Sequence, residues 1–397
     1  CFGNNICLAI EINERSKINM KKILKMTLFL LATLAAAALL FVACAPQLGS
    51  DSNGWKISCS SHFKDGKFFN TIATRVSTSS GNRLRSLLEF FTDQQKREPE
   101  TALDSIPVAV AQIGATEELR VTWLGHSACL IEMDGQVILA DPMFSDRASP
   151  FFFMGPKRFD TPLPLQLKYV PKVDIVIISH DHYDHLDYAS IKALIDKTSV
   201  FYVPLGVGGH LGRWGVPQNK IVEFDWWDEH SNGAVKVAAT PARHFSGRWL
   251  TRNNTLWASW VPPSHLHRVF FGGDSGYFEG FRQIGEKYGP FDLTMLESGA
   301  YNEAWSQIHM MPEETVQAHL DLQGKVLLPI HWGQFNLSMH AWTEPIERLL
   351  KEAKRKDVVV VTPLMGQSVE RNLDLPNTAW WQLSKDKVAG IGDAKDL

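Results

Sequence analysis

Between Ser179 and Asp187 the chain reads Ser-His-Asp-His-Tyr-Asp-His-Leu-Asp, so His180, His182, Asp184 and His185 fall within six residues. All four are metal-binding side chains, and they follow directly on the apolar run Val173-Asp-Ile-Val-Ile-Ile178. A strand that ends in such a cluster cannot bury the imidazoles and the carboxylate unpaired, because desolvating them is too costly. Two divalent cations resolve the conflict. His180 and His182 point to one, and Asp184 and His185, on the following turn, point to a second. A solvated polar loop is the plain alternative, and it has no need of so much histidine.

Three further runs end in the same kind of residue. Val235-Lys-Val-Ala-Ala-Thr-Pro-Ala-Arg leads to His244, Arg268-Val-Phe-Phe-Gly-Gly to Asp274, and Lys325-Val-Leu-Leu-Pro-Ile to His331. Each reads as a buried strand, and α/β proteins place their ligands at the carboxyl ends of strands. Oxygen and nitrogen donors without cysteine suit two Zn2+ ions, with Mn2+ or Fe2+ as alternatives. Seven ligands serve two metals if one carboxylate bridges them, and Asp274 is the candidate bridge. Open positions then hold a shared water acidified to a pKa near ~7. His126, in Gly-His-Ser, is read as structural or supporting, because it stands far upstream without a paired ligand.

The elements that must position these residues occupy a chain of 397 residues, 45% apolar, with net charge −3. That is enough for one large or two ordinary cores. With no basic stripe, a nucleic-acid partner is disfavoured. The cysteines Cys1, Cys7, Cys44, Cys59 and Cys129 show neither metal spacing nor a disulfide framework. Residues 1–19 carry no pattern and read as a non-native upstream segment. From Met20, the lysines Lys21, Lys22 and Lys25 precede the uncharged stretch Met26–Val42, a signal peptide or membrane anchor over 20–43. Phe41-Val-Ala-Cys44 resembles the bacterial lipoprotein cleavage box, which implies a membrane-anchored protein facing the periplasm or cell exterior. Residues 44–62 read as a linker, 63–118 as an extension packed on the body, 119–370 as the catalytic domain and 371–397 as a tail. Within the extension, Arg83–Phe91 has helical spacing and either packs on the body or dips an apolar face into lipid.

Strand signals open with Arg120–Trp123, Ala128–Met133 and Gln136–Ala140, the last two joined by a turn at Asp134-Gly135. They recur at Val173–Ser179, Val200–Pro204, Ile221–Phe224, Val235–Thr240, Leu256–Val261, Val269–Gly272, Leu293–Leu296, Val326–Ile330 and Val358–Val361. Helices are expected at Tyr188–Asp196, Pro312–Leu322 and Thr343–Arg355, with Pro312 at a first helical position. The pattern suits an α/β fold of two packed sheets flanked by helices. Trp226, Trp227, Trp249, Trp257 and Trp260 read mostly as core. Phe151-Phe-Phe-Met154 is an apolar loop that, exposed, favours membrane or acyl contact.

The H-x-H-x-D-H run with a later His, Asp and His resembles the metallo-β-lactamase superfamily. More narrowly, Met154-Gly-Pro-Lys-Arg-Phe159, Asp225-Trp-Trp227, Gly273-Asp-Ser-Gly-Tyr277 and Pro329-Ile-His-Trp-Gly333 resemble the N-acylphosphatidylethanolamine-hydrolysing phospholipase D family. The resemblance implies an αβ/βα sandwich with a dimetal site at its edge. It assigns His180, His182 and His244 to one zinc, and Asp184, His185 and His331 to the other, with Asp274 between. It also implies cleavage of a phospholipid at a membrane surface into phosphatidic acid and N-acylethanolamine. His309 matches a family active-site histidine, while Ile308 beside it departs from the expected glutamine. Asp184 and His309 are the candidate catalytic residues. Tyr183 and His309 are candidates to touch substrate, with simple packing as the other role for Tyr183. A lactonase of the same fold, or a membrane-tethered lipid-binding protein with a structural metal, remain the rival readings.

Overall fold

The computed structural model describes residues 3–50, 54–76, 95–114, 116–232, 235–262, 264–370 and 375–383. It contains two compact units, Cys1–Leu48 and Gly49–Leu397. The first is built on helix α1 (Gly3–Cys44), which continues through the segment expected to be patternless. Within it, Asn19–Val42 is 24 residues long with mean hydropathy 2.2. At about 1.5 Å per residue that length covers the ~30 Å hydrocarbon core of a bilayer, which is compatible with an anchor and longer than a signal needs.

The second unit begins with α2 (Trp55–Cys59) and a hairpin of β1 (Phe63–Lys64) and β2 (Lys67–Phe68). Asp65 and Gly66 turn that hairpin with φ of 52° and 76°, the left-handed pair that an Asp-Gly turn supplies. Two seven-stranded sheets follow. The first runs β16 (Ser368–Glu370), β3 (Arg120–Gly125), β4 (Ala128–Met133), β5 (Gln136–Ala140), β6 (Val173–Ile177), β7 (Thr198–Pro204), β8 (Ile221–Phe224). The second runs β15 (Val359–Val360), β14 (Gly324–Ile330), β13 (Phe291–Glu297), β12 (Val269–Phe271), β11 (Ser259–Val261), β10 (Val235–Thr240), β9 (Glu229–Asn232). In each sheet one part pairs antiparallel and the other, β5–β8 or β12–β15, pairs parallel.

Period-two alternation builds the layers. Ile175 and Ile177 of β6 face the core between the sheets, where they meet Phe271, Met295 and Leu328 of the second sheet. Val176 and Ile178 face the other way, under α3 (Tyr188–Leu194) and α4 (Val207–Arg213). Beyond the second sheet, Phe270, Leu296 and Leu327 pack with α5 (Gly280–Tyr288), α6 (Pro312–Asp321) and α7 (Glu344–Arg355). Both sheets are thus sandwiched between helical layers, which is why their parallel strands read as continuous apolar runs.

Several expectations need correction. The stretch 44–62 is more than a linker, because it contains α2 and buries Ile57 in the inter-sheet core. The C-terminal region beyond 370 is not only a tail, since Trp380 and Trp381 lie buried in that core. Of the run Leu256–Val261 only Ser259–Val261 pairs as a strand. Within 63–118, Ile106 N–H donates to Met365 O at 2.7 Å and Val108 N–H to Pro164 O at 2.9 Å. The helical pattern at Arg83–Phe91 falls outside the described residues. Trp226, Trp257 and Trp260 are core, Trp227 is half-buried and Trp249 is exposed.

Candidate metal centre

Strands β12, β13 and β14 run parallel, as do β5 and β6, so their carboxyl ends open on one edge of the sandwich. There the seven residues singled out by type and spacing come together. His180 Nε2 lies 2.8 Å from His182 Nδ1, which lies 3.3 Å from His244 Nε2. Asp184 Oδ2 lies 3.4 Å from His185 Nε2 and 3.2 Å from His331 Nε2. Asp274 Oδ2 stands between the two groups, 3.2 Å from both His185 Nε2 and His331 Nε2 and 3.8 Å from both His180 Nε2 and His244 Nε2. In each group the donor atoms fall within 4.8 Å of one another.

The electrostatics of this cluster call for cations. Burial alone pushes Asp184 and Asp274 up, yet the surrounding imidazoles outweigh it and hold both well below the carboxylate range. Burial likewise opposes charge on His185 and His331, but the carboxylates, Asp274 foremost, draw protons onto them and raise both. A pair of divalent cations, held by these residues, would supply that positive charge in place of protons. Burial, with their neighbouring imidazoles, keeps His180 and His244 well below the usual range, hence neutral and ready to donate. His185 Nε2 and Asp274 Oδ1 are buried without a hydrogen-bond partner among the described residues. On these counts the residues fit a dinuclear site.

Supporting contacts fix which nitrogen His185 and His244 present. The fully buried Asp141 accepts the Ser179 N–H at 2.7 Å and sits 2.6 Å from His185 Nδ1, which turns Nε2 inward. His244 Nδ1 lies 2.8 Å from Ile308 O, leaving its Nε2 for the cluster. Buried Arg248 donates to the carbonyls of Asp181 (2.7 Å) and Leu186 (2.9 Å), bracing both ends of the ligand loop. His126 is closer than its sequence position suggests. Its Nε2 is 3.0 Å from Asp184 Oδ2 and its ring lies 4.0 Å from that of His331. Its donor atom also falls within the Asp184, His185 and His331 group. Sequence distance hid it, because the segments that follow β3 and β6, strands separated in the sheet by β4 and β5, come together only in the fold.

Residues 136–332 match the beta-lactamase superfamily domain. The N-acyl-phosphatidylethanolamine-hydrolyzing phospholipase D 1 of Caenorhabditis elegans is 34% identical over 267 residues, covering 63% of this chain and 75% of that protein. The chain belongs to the metallo-β-lactamase superfamily. An uncharacterized protein of Mycobacterium tuberculosis is 47% identical over 331 residues, 82% of this chain and 88% of that one. Igni18, a metallo hydrolase of Ignicoccus hospitalis, shares the fold with TM-score 0.51 and 23% identity over 64% of this chain and 99% of its own. The metallo-β-lactamase-fold chain is accordingly a metal-dependent hydrolase.

Above its metal centre lies a cavity of about 340 Å³ lined by His182, Asp184, Asp274, His309 and His331, with Phe245, Trp305, Ile308 and Leu337 as apolar walls. Trp305 and Leu337 also border a neighbouring groove of about 660 Å³. His309 stands in the cavity wall, its ring 5.0 Å from that of His244 and 5.5 Å from that of His331. Its Nδ1 is 3.4 Å from Oε1 of the fully buried Glu297. Glu297 was not anticipated, although it ends β13 as the other site residues end their strands, and that rule would have found it. Tyr183 does not line this cavity; its ring packs 4.1 Å beneath the Arg248 guanidinium.

Proposed function

We propose that the chain is a dinuclear zinc phosphodiesterase acting on the head-group side of N-acylphosphatidylethanolamine. The reaction adds water across the bond between phosphorus and the ethanolamine oxygen, giving phosphatidic acid and N-acylethanolamine. The observation that carries this reading is the cavity itself. Six metal-grade donors cluster with Asp274, four of them histidine nitrogens within 4 Å of its Oδ2, and beside them Phe245, Ile308, Leu337 and Trp305 form an apolar wall, of which Leu337 and Trp305 also border the larger groove. Lipid sites combine such apolar walls with few polar groups. The relationship to the Caenorhabditis elegans protein supports the substrate class.

His180, His182 and His244 would hold one ion and Asp184, His185 and His331 the other, with Asp274 shared. Bound there, the ions supply Lewis-acid charge to a phosphoryl oxygen and acidify water at neutral pH. The chain's own residues do the rest. Glu297 sits behind His309 Nδ1, so the other ring nitrogen, Nε2, is the one free to act in the cavity. There it protonates the departing ethanolamine oxygen or orients the head group. Phe245 and Ile308 exclude water from the acyl side. Lys21, Lys22 and Lys25, the apolar segment Asn19–Val42 and the exposed Cys44 support a membrane-tethered, lipidated protein outside the cytoplasm, where it meets a substrate confined to the bilayer.

The test offers N-acylphosphatidylethanolamine, a simple lactone and a β-lactam side by side to zinc-loaded protein. The reading expects N-acylethanolamine and phosphatidic acid by mass, and a larger loss of turnover than of zinc in His309→Ala. Fast lactone opening without lipid cleavage would make the lactonase the correct reading.

A further inference from the structure

The loop Phe151–Met154 projects into solvent: Phe152 is 91% exposed, and Phe153 and Met154 are exposed with it. It is not alone. Trp249 and Leu250, about a hundred residues later, are exposed beside it, Leu250 at 84%. The Phe151 and Trp249 rings meet edge to face at 5.9 Å, and Phe153 packs on both Phe151 (5.6 Å) and Phe152 (5.2 Å). Two loops far apart in sequence thus build one aromatic patch. Arg147 stiffens the first by donating to the carbonyls of Phe152 (3.1 Å) and Gly155 (2.7 Å). The second holds Trp249 at a φ of 56°, a left-handed conformation that a bulky residue adopts only under constraint.

The charge around this patch identifies its partner. Residues 146–158 and 247–252 carry Arg147, Lys157, Arg158, Arg248 and Arg252 against the single acid Asp146, on a chain whose net charge is −3. Arg248 faces inward and Arg158 pairs with Asp146, which leaves Arg147, Lys157 and Arg252 as the remaining basic residues of the two loops, with Glu98 in the groove that Arg147 and Lys157 line. Apolar and aromatic residues ringed by basic ones suit an anionic bilayer, where aromatic rings settle at the head-group level. The patch also adjoins the metal centre: Arg252 lies over Phe245, a wall of the cavity, and Arg147 and Lys157 line the groove that shares Trp305 and Leu337 with it.

We propose that Phe152, Phe153, Met154, Trp249 and Leu250 form a docking face that inserts into an anionic phospholipid surface beside the mouth of the metal site. The proposal holds for any substrate, so its test uses no turnover. The full chain is reconstituted into nanodiscs of phosphatidylcholine with phosphatidylglycerol, with or without brominated acyl chains, and tryptophan fluorescence is read. The brominated chains quench Trp249, so that part of the quenching disappears in Trp249→Phe. It falls at least ~twofold in the Phe152→Ser/Phe153→Ser variant and when phosphatidylglycerol is left out, since each basic group near the surface favours an anionic membrane about fivefold. Because a variant can misfold, hydrogen exchange is followed on the unaltered chain, where amides in 150–155 and 248–251 slow in these nanodiscs relative to phosphatidylcholine alone. Equal quenching in the chain and in Trp249→Phe, with no change in exchange, would overturn the proposal. So would slowed exchange that appears only as the chain self-associates, which would make a second copy the partner.

Discussion

Asp141→Asn isolates how the fold controls its metal centre. Asp141 is fully buried and touches no other part of the ligand set than His185. One carboxylate oxygen accepts the Ser179 N–H at 2.7 Å; the other lies 2.5 Å from Ser179 Oγ and 2.6 Å from His185 Nδ1. An amide that keeps its oxygen on the Ser179 N–H must set its NH2 against His185 Nδ1. That imidazole then has to move its proton to Nε2, the nitrogen 3.2 Å from Asp274 and 3.4 Å from Asp184. A proton there removes the lone pair the metal needs. Loss of such a supporting contact costs roughly 10–100-fold in metal affinity, or ~1.4–2.7 kcal/mol. Competition with a zinc chelator measures it, and the weakening should fall on one of two sites. Unchanged affinity at both sites, in a variant that remains folded, would refute the tautomer argument.

Asp274→Asn should lose metal content and rate together, because an amide fills the volume but lacks the charge shared by both donor groups; elemental analysis alongside activity checks it, and full activity would rule out the central role. Gly299→Ala places a Cβ 1.9 Å from the His331 carbonyl oxygen, so the backbone under His331 must shift. The expected cost is ~1–3 kcal/mol in urea unfolding with weaker metal binding, and a neutral result would mean the loop yields freely. Burial holds His319 at about 4 against its ordinary 6.5, with Nδ1 2.7 Å from Thr294 Oγ1. The unfolded chain takes up that proton near 6.5 and the folded chain does not. The stabilisation is therefore complete above that pH and is lost as pH falls toward 4, amounting to ~3 kcal/mol. Unfolding curves of the chain and of His319→Asn should converge over that window, and parallel curves would contradict the assignment.

The parallel strands were legible because burial on both faces leaves little ambiguity in an apolar run: the expected Leu293–Leu296 and Val326–Ile330 lie within the observed Phe291–Glu297 and Gly324–Ile330. The polar edge strands β9 and β16 were not, although the apolar edges β8 and β15 were. Glu229–Asn232 reads Glu-His-Ser-Asn and Ser368–Glu370 is three residues long, and edges are kept polar and short to discourage further pairing. Helix α4 escaped because Val-Gly-Gly-His-Leu-Gly-Arg is rich in poor helix formers; packing of Val207 and Leu211 under the sheet holds it instead. The strand-end ligands were visible through residue type and spacing alone. Asp141 and Arg248 were not assigned roles, since a lone acid or arginine acquires meaning only from what the fold sets beside it, whereas Glu297 ends its strand as the other site residues do and could have been found that way.

His180, His182, Asp184, His185, His244, Asp274 and His331 are expected to hold two metals in one site. The most direct measurement is a crystal structure of the zinc-loaded chain with anomalous data on both sides of the zinc edge. Two peaks ~3.5–4 Å apart are expected, with Asp274 between them, His244 on one and His331 on the other. A single peak, or either histidine turned away from both, would contradict it.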